Sequence, residues 1–242
     1  MTTLIVEGVT YATDHPIDLS RSVSKAGVSA WYAGTAIFAP FKWDQKLLSV
    51  AHGAAVNFEQ ISFYPHAHGT HTETLGHISE TPLPISSLSL PFLMAAKLIV
   101  PELEYRGEDL VLSVQGLLAC DFKGVKALII KLHTGRDYPS NYDHSNWPYL
   151  LAETAELLAI EGIEHLVLDT PSIDKEKDGG AVAAHKAYWQ VDTETPRNQA
   201  TITELAAIPE HLAPGPYLLQ LQVAPIESDA APSRPLIFSP RS

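Results

Sequence analysis

The segment 127–168 restricts the fold more than any other part of the chain, because it holds a strand, a helix and a second strand in succession. The run 127–132 is almost entirely apolar, as in a strand that is buried on both faces. In 147–161 apolar residues recur at i, i+4 and i+7, and Gly162 follows as a C-terminal cap. The run 166–168 is apolar again. This order predicts a right-handed parallel crossover, and we expect an α/β fold with a mixed β-sheet and packed helices.

The chain of 242 residues is expected to form a single domain over residues 1–242. It has no internal repeat, no low-complexity block and no shift in composition that would separate two units. Segments near both chain ends have extended patterns, so both ends are expected to add strands to the sheet.

Charge and cysteine content exclude several classes of protein. The formal net charge is −12 and no Lys/Arg cluster occurs, which argues against nucleic-acid binding. Cys120 is the only cysteine, so an intrachain disulfide and a zinc site built on several cysteines are excluded. The chain has no basic leader and no run of about eighteen apolar residues, so neither secretion nor a membrane span is expected. We expect a cytoplasmic protein whose partner is a small-molecule substrate.

Four histidines and one glutamate lie within twelve residues. They are His66, His68, His71, Glu73 and His77. Neutral imidazole and carboxylate are the side chains that bind Zn²⁺, Mn²⁺ or Fe²⁺ without help from cysteine. His71 and Glu73 stand two residues apart, so in an extended segment they share one face and can bind one metal ion. The segment therefore predicts a metal site at the end of a strand or in the loop after it.

The other histidines of this segment have different expected roles. His77 lies four residues beyond Glu73 and is placed to exchange protons with a metal-activated water. His66 and His68 share a face upstream, and a turn at Gly69 would aim one of them at the same ion. A single histidine is more often a surface, capping or hydrogen-bonding residue than a ligand, so the choice between His66 and His68 stays open on spacing alone.

The histidine-rich segment resembles the signature of a known family. The metal-dependent cyclase/hydrolase family, which includes bacterial kynurenine formamidase and isatin hydrolase, has the signature His-x-Gly-Thr-His-x-Asp-x-x-x-His. The stretch Gly69-Thr70-His71-Thr72-Glu73 together with His77 matches it, with Glu in place of Asp. Further matches occur along the chain in the same order as in the family. Together they are more specific than the metal motif alone. They fall at 18–20, 168–174, His185, 203–205 and 229–235.

The resemblance implies a swivelling β/β/α-type domain that assembles into homodimers or homotetramers. It makes His71 and Glu73 metal ligands, with Glu73 bridging two ions, and it makes His77 the catalytic acid/base. It also implies that His185 and Glu204 complete a second site, so one or two divalent ions, Zn²⁺ or Mn²⁺, are expected. From the residues alone, His185 would instead be a helix-surface residue and Glu204 an exposed strand or cap residue.

The chain departs from the family pattern at two positions. The family's first histidine corresponds to Ala67, which cannot bind a metal. Either His66 or His68 takes over its role, or the first ligand is missing. Of these alternatives we expect His68 to take over, because it adjoins the turn at Gly69. Glu73 is longer than Asp by one methylene group, which moves the carboxylate by about 1.5 Å. Both departures indicate a divergent branch rather than kynurenine formamidase proper.

The functional prediction is a metal-dependent hydrolase of a non-peptide C–N bond, in an aryl formamide or a cyclic amide. A metal-activated water attacks the carbonyl, and His77 passes a proton to the leaving nitrogen. N-Formylkynurenine, and with it tryptophan catabolism, is one candidate. Two alternatives stay open: a metal-poor family member that binds a small molecule, suggested by Ala67, and a lactone hydrolase or dehydratase.

Five aromatic residues cluster upstream of the histidines. They are Trp31, Tyr32, Phe38, Phe41 and Trp43. They either line an apolar substrate pocket or belong to the core or to a subunit interface, and the sequence does not decide between these roles.

Overall fold

The computed structural model describes residues 3–133, 135 and 137–241. In these residues the first strands are β1 (Thr3–Val6), β2 (Val9–Ala12), β3 (Ile17–Asp18), β4 (Ile37–Pro40), β5 (Lys42–Trp43), β6 (Lys46–Leu47), β7 (Glu59–Ser62), β8 (His71–Glu73) and β9 (Met94–Ile99). They are followed by β10 (Glu104–Arg106), β11 (Asp109–Leu112), β12 (Ala127–Ile130), β13 (Tyr149–Leu150), β14 (His165–Leu168), β15 (Thr201–Glu204), β16 (Gly215–Val223) and β17 (Ala230–Phe238). The α-helices are α1 (Val114–Leu118), α2 (Ala152–Ile160) and α3 (Ala183–Trp189), and short 3₁₀ turns lie at Val50–His52, Leu75–His77 and Ile85–Ser87.

The predicted parallel crossover is confirmed. β12 and β14 pair in parallel, starting with Ala127 opposite His165, and α2 connects them along the chain. All four residues of β12 are buried, which explains the uninterrupted apolar run in the sequence. Leu128 and Ile130 pack against the helices, whereas Ile129 packs into a second apolar cluster on the opposite face of the sheet. Each such fully buried side chain contributes roughly 1.5–3 kcal/mol of transfer free energy.

The connecting helix begins later than the sequence pattern predicts, at Ala152 instead of near residue 147. The backbone N–H of Leu150 donates to the carbonyl oxygen of Ile173 (2.9 Å), and that of Leu151 donates to Leu112 (3.1 Å). These bonds hold the preceding residues extended, so tertiary pairing overrides local helix propensity.

The large sheet closes on itself. Its order is β16-β9-β12-β14-β15-β8-β17, β17 also pairs with β16, and β3 pairs with β17. Within this sheet the four adjacent strands β9, β12, β14 and β15 are parallel to one another. The other pairings of the sheet are antiparallel. The expected mixed sheet is therefore confirmed, with strands from both chain ends in contact. Closure also places β8, the strand that begins at His71, between two neighbours.

The three α-helices cover the outer face of the parallel strands, as expected for an α/β fold. Tyr188 and Trp189 at the end of α3 are fully buried there, together with Leu158 of α2 and Leu117 of α1. None of the helices in the described part of the chain is long and apolar enough to cross a membrane.

Candidate active site

The strand β8 carries the centre of the candidate site. His71 lies opposite Glu204 of β15, and Glu73 lies opposite Ala230 of β17. His71 and Glu73 are both fully buried. Their ligand atoms, with one from His66, lie within 4.8 Å of one another, as the two-residue spacing in a strand predicts.

The Gly69-Thr70 pair fixes the start of this strand. A Cβ on Gly69 would lie 2.9 Å from the carbonyl oxygen of Arg21, so only glycine permits this close approach. The hydroxyl of Thr70 donates to the carbonyl oxygen of Leu205 (2.6 Å) and accepts from the N–H of Arg21 (2.8 Å). These contacts tie the strand to chain segments on either side and hold the histidine that follows in place.

Glu73 is surrounded by three imidazoles. Its Oε1 lies 3.0 Å from His185 Nε2, and its Oε2 lies 3.2 Å from His66 Nδ1 and 3.9 Å from His77 Nε2. Burial acts to raise the pKa of this carboxyl group, but the charges of His77 and His185 and the hydrogen bonds outweigh it and hold the pKa well below its usual range. Glu73 is therefore a buried, ionised carboxylate.

Glu204 provides a second carboxylate on the neighbouring strand. Its Oε2 lies 3.4 Å from His71 Nε2, and its Oε1 accepts a hydrogen bond from the N–H of Ile173 (2.9 Å). Burial and the negative charge of Glu73 raise the pKa of Glu204. The expectation of an exposed strand or cap residue is wrong, because Glu204 is buried on β15, which lies between β14 and β8 in the sheet.

His185 reaches the same centre from helix α3. Its Nδ1 donates to Asp174 Oδ2 (2.5 Å), which also accepts from the backbone N–H of His185 (3.1 Å). The other carboxylate oxygen, Asp174 Oδ1, accepts from the backbone N–H of Ala184 (2.8 Å). Burial acts to lower the pKa of His185, but Glu73 and Asp174 outweigh burial and raise it to about 10. The helix-surface expectation for His185 is wrong, since its helix face is turned into the core.

His77 stands at the exposed rim of the cluster. It ends the 3₁₀ turn Leu75–His77, and its side chain is about one-third exposed. Its Nδ1 donates to Asp229 Oδ2 (3.2 Å), while Nε2 lies on the Glu73 side of the ring. An imidazole that is oriented by a carboxylate and open to a cavity has the arrangement of a general acid/base.

His66, not His68, joins the cluster. His66 Nε2 lies 2.8 Å from Asp229 Oδ2 and its Nδ1 lies 3.2 Å from Glu73, so although burial opposes it, the two carboxylates raise the pKa of His66 to about 10. His68 points away: its Nδ1 accepts from the N–H of Tyr64 (2.9 Å), and its Nε2 donates to the carbonyl oxygen of Gly34 (3.2 Å). The structure therefore brings His66 to the cluster in place of the expected His68.

Two buried atoms of the cluster make no hydrogen bond with any described residue: His71 Nε2 and Glu73 Oε2. Because His71 Nδ1 donates to the carbonyl oxygen of Gly69 (3.1 Å), the neutral ring carries its lone pair on Nε2. Buried polar atoms are nearly always satisfied, so these two atoms have the chemistry expected of metal ligands. Imidazole and carboxylate donors suit Zn²⁺, Mn²⁺ and Fe²⁺, and three triads of ligand atoms lie close enough for one ion.

Asp174 and Asp229 were not predicted as site residues. Each holds the ring of a cluster histidine, Asp174 that of His185 and Asp229 those of His66 and His77. Both lie in segments that resemble the family, 168–174 and 229–235. The resemblance therefore pointed to these segments, but it assigned no role to either aspartate.

A cavity of about 610 Å³ opens beside the cluster. Its lining residues include Trp31, Tyr32, Tyr64, His66, His77, Ser172, Asp174, Lys175, Asp178, His185 and Glu204. Of the five upstream aromatic residues, Trp31 and Tyr32 belong to this lining, whereas the other three lie in the segment that follows. The volume falls within the range of about 300–1,000 Å³ of small-molecule sites.

Fold and site together define an α/β protein with a buried imidazole–carboxylate centre at one end of a substrate-sized cavity. Residues 17–175 match the model of the Cyclase family, described as "Putative cyclase". The chain belongs to the Cyclase family, and the resemblance found in the sequence is confirmed.

Relatives and solved structures agree with this assignment. A kynurenine formamidase of Erythrobacter litoralis (strain HTCC2594) is 25% identical over 175 residues, which cover 72% of this chain and 74% of the relative. An isatin hydrolase bound to the product analogue thioisatinate superposes with a TM-score of 0.69 at 12% identity, covering 94% of this chain and 93% of the other. A "predicted metal-dependent hydrolase" from Bacillus stearothermophilus gives 0.63 at 14% identity, covering 93% and 98%. Both structures share the fold.

Proposed function

We propose that this protein is a metal-dependent hydrolase that cleaves a non-peptide C–N bond in an aryl formamide or a cyclic amide. The observation that carries the proposal is the pair of buried, unsatisfied ligand atoms, His71 Nε2 and Glu73 Oε2, in a cluster that borders the cavity. The formamidase relative and the two hydrolases that share the fold support hydrolysis as the reaction class.

The cluster offers ligands for one or two ions, Zn²⁺ or Mn²⁺. His66, His71 and Glu73 form one set of donors, and His185 and Glu204 contribute to a second set that shares Glu73. When bound, a divalent cation at this place polarises a carbonyl group and lowers the pKa of a coordinated water. Because His66 supplies an imidazole next to Ala67, the loss of the family histidine leaves the number of donors unchanged. That removes the reason for a metal-poor binding protein.

His77 acts as the acid/base of the proposed reaction. Asp229 accepts a hydrogen bond from the protonated Nδ1 of His77, so Nε2 is free of the proton. Nε2 can therefore take a proton from the attacking water and deliver it to the leaving nitrogen. Glu73 Oε2 lies 3.9 Å from that Nε2, on the same side of the ring. A nitrogen leaving group needs this proton, because an amide anion is a poor leaving group.

The cavity walls favour a flat, aromatic substrate. Trp31, Tyr32 and Tyr64 provide aromatic surface beside His77, on which an aryl ring can stack. Lys175, which is paired with Asp109 (2.6 Å), and Asp178 add charged groups to the cavity lining. An N-formyl arylamine such as N-formylkynurenine, or a cyclic aryl amide such as isatin, has this shape, in line with the names of the relatives.

The test combines metal analysis with a substrate panel. The protein is purified without chelator, reconstituted with Zn²⁺ or Mn²⁺, and assayed with aryl formamides, cyclic imides and lactones. We expect close to one or two ions per chain and metal-dependent cleavage of an aryl formamide or cyclic amide, with lactones turned over more slowly. Failure to bind either ion at pH 7.5, or hydrolysis of lactones alone, would refute the proposal.

A further inference from the structure

One hydroxyl group of the cavity lining is buried and keeps its proton uncommitted. Ser172 lines the cavity and is only 3% exposed. Its Oγ accepts a hydrogen bond from the backbone N–H of Asp174 (3.1 Å), but its own O–H has no acceptor among the residues that the structure describes. A serine hydroxyl offers one proton and two lone pairs, so the accepted bond leaves the proton available. Because buried polar groups are nearly always satisfied, we expect this proton to bond a molecule in the cavity.

The neighbouring threonine hydroxyls differ from Ser172 in this respect. Thr70 Oγ1 donates to the carbonyl oxygen of Leu205 (2.6 Å), and Thr170 Oγ1 donates to the carbonyl oxygen of Ser172 itself (2.9 Å). Neither threonine belongs to the described cavity lining. The fold thus supplies acceptors to hydroxyl groups that support the backbone, whereas the hydroxyl group at the cavity is left without one.

The backbone around Ser172 is fixed by the histidine–carboxylate cluster. The N–H of the next residue, Ile173, donates to Glu204 Oε1 (2.9 Å). The carboxylate of Asp174 accepts from His185 Nδ1 (2.5 Å). A hydroxyl group on this segment is therefore in place before a substrate binds, as the stabilisation of a developing charge requires.

We propose that Ser172 donates a hydrogen bond to the carbonyl oxygen of the bound amide and holds the oxyanion that forms from it. This role rests on the proposed hydrolysis, in which His77 Nε2 serves the leaving nitrogen. The carbonyl oxygen on the same carbon atom is then the substrate atom that needs a donor. When water adds to that carbon, the carbonyl electron pair moves to the oxygen, and Ser172 keeps its proton. When the C–N bond breaks, the pair re-forms the carbonyl group and His77 protonates the nitrogen.

The other side-chain donors of the described lining, outside the histidine cluster, are less suited to this role. Trp31 and Tyr64 are 37% and 64% exposed, so water satisfies the indole N–H and the phenol. Tyr32 and Lys175 are each committed to a carboxylate at 2.6 Å. Ser172 combines an uncommitted proton with burial, and a hydrogen bond is stronger where water is excluded.

The first experiment compares Ser172→Ala with the wild type at saturating Zn²⁺ on formanilide and on thioformanilide, in which sulfur replaces the carbonyl oxygen. Sulfur is a weak hydrogen-bond acceptor, so the lost hydroxyl group should matter for formanilide alone. We expect kcat for formanilide to fall about tenfold to a hundredfold with a KM change below about threefold, and kcat for thioformanilide to fall less than about threefold. The metal's preference for oxygen or sulfur cancels, because both proteins hold the same ion. Equal losses on both substrates would show a structural role and overturn the proposal.

The control variant is Ser87→Ala. It removes an exposed hydroxyl group that donates to the carbonyl oxygen of Pro84 (2.7 Å) outside the described cavity lining, so both reactions should be unchanged. The metal content and far-UV spectrum of Ser172→Ala should equal those of the wild type. A loss of bound metal in Ser172→Ala would make the residue a support of the ligands and would contradict a direct contact with substrate.

Infrared spectroscopy gives a reading that needs no turnover. Formanilide with a ¹³C-labelled formyl group is bound to the metal-free protein. A hydrogen bond weakens the C=O bond, so the band of the wild-type complex should lie at lower frequency than in acetonitrile and should move back in Ser172→Ala. A wild-type band at the acetonitrile frequency, or a band that Ser172→Ala leaves in place, would refute the contact. A Ser172-dependent band without hydrolysis by the metal-loaded wild type would uphold the hydrogen bond and refute the proposed function, and hydrolysis without such a band would do the reverse.

Discussion

His66 Nε2 lies 2.8 Å from Asp229 Oδ2, although the two residues are 163 positions apart in the chain. Asp229 directly precedes β17, whose first residue pairs with Glu73, and this register brings the aspartate to the histidine cluster. The same oxygen accepts from His77 Nδ1 at 3.2 Å. One carboxylate thus holds both the histidine proposed to compensate for Ala67 and the proposed acid/base.

Removal of His66 should remove metal, whereas removal of His68 should not. His66→Ala deletes one donor of the triad with His71 and Glu73, so we expect at least a tenfold weaker affinity for Zn²⁺. The matched variant His68→Ala loses hydrogen bonds to Tyr64 and Gly34 and should lower stability by about 1–3 kcal/mol while keeping the metal. Elemental analysis after dialysis measures the first effect, and urea unfolding measures the second. Loss of metal in His68→Ala but not in His66→Ala would show that His68 is the ligand.

The choice between the two histidines could not be made from spacing, because it depends on one turn. The N–H groups of Ala67 and His68 both donate to the carbonyl oxygen of Tyr64 at 3.1 Å, and this turn folds His68 back onto Tyr64. In contrast, the shared face of His71 and Glu73 follows from strand geometry and was predictable. Local patterns carry such information, whereas tight turns depend on contacts that form only in the folded chain.

The fold shows the same contrast between features that follow from local sequence patterns and features that depend on tertiary contacts. The apolar runs that become β12 and β14 predicted a parallel crossover, since burial on both faces requires them to be apolar. The strand β17 left no such pattern, because Pro232 and Pro235 interrupt it. Both prolines are accommodated through their carbonyl oxygens, which accept from Ala224 (3.0 Å) and Leu19 (3.0 Å). Asp229 owes its position to this strand, so its role could not be derived from the residues alone.

Asp229→Asn tests the orientation of His77. The amide keeps the size of the side chain but no longer offers a charged acceptor to both rings, so we expect kcat to fall by about tenfold to a hundredfold at saturating metal. The KM should change much less, because Asp229 is not among the residues that line the described cavity. Asp121→Asn, at an exposed ion pair with Lys97, serves as the control and should leave both constants unchanged. An unchanged kcat in Asp229→Asn would remove the positioning role.

Gly69→Ala tests the close packing at the start of β8. The added methyl group would lie 2.9 Å from the carbonyl oxygen of Arg21 and 3.0 Å from Val23 Cγ2, which forces the two segments apart. We expect the free energy of unfolding to fall by about 1–3 kcal/mol. Metal affinity should fall as well, because His71 follows two residues later. Urea unfolding with and without Zn²⁺ measures both, and a fully stable variant would show that the segments shift apart at no cost.

Metal binding should release protons at neutral pH. The pKa values of His66 and His185 are raised to about 10 by their carboxylate neighbours, so both rings are protonated at pH 7.5 when no cation is present. A ligating imidazole must be neutral, and a cation therefore displaces these protons. The apparent affinity rises with pH up to about pH 10 and falls as the solution is acidified, because protons compete for the same nitrogens.

Calorimetric titration of the chelator-stripped protein with Zn²⁺, in buffers of different ionisation enthalpy, measures the number of protons released. We expect one to two protons per ion and a smaller number in His66→Ala; a binding heat that is identical in all buffers would contradict ligation by either ring.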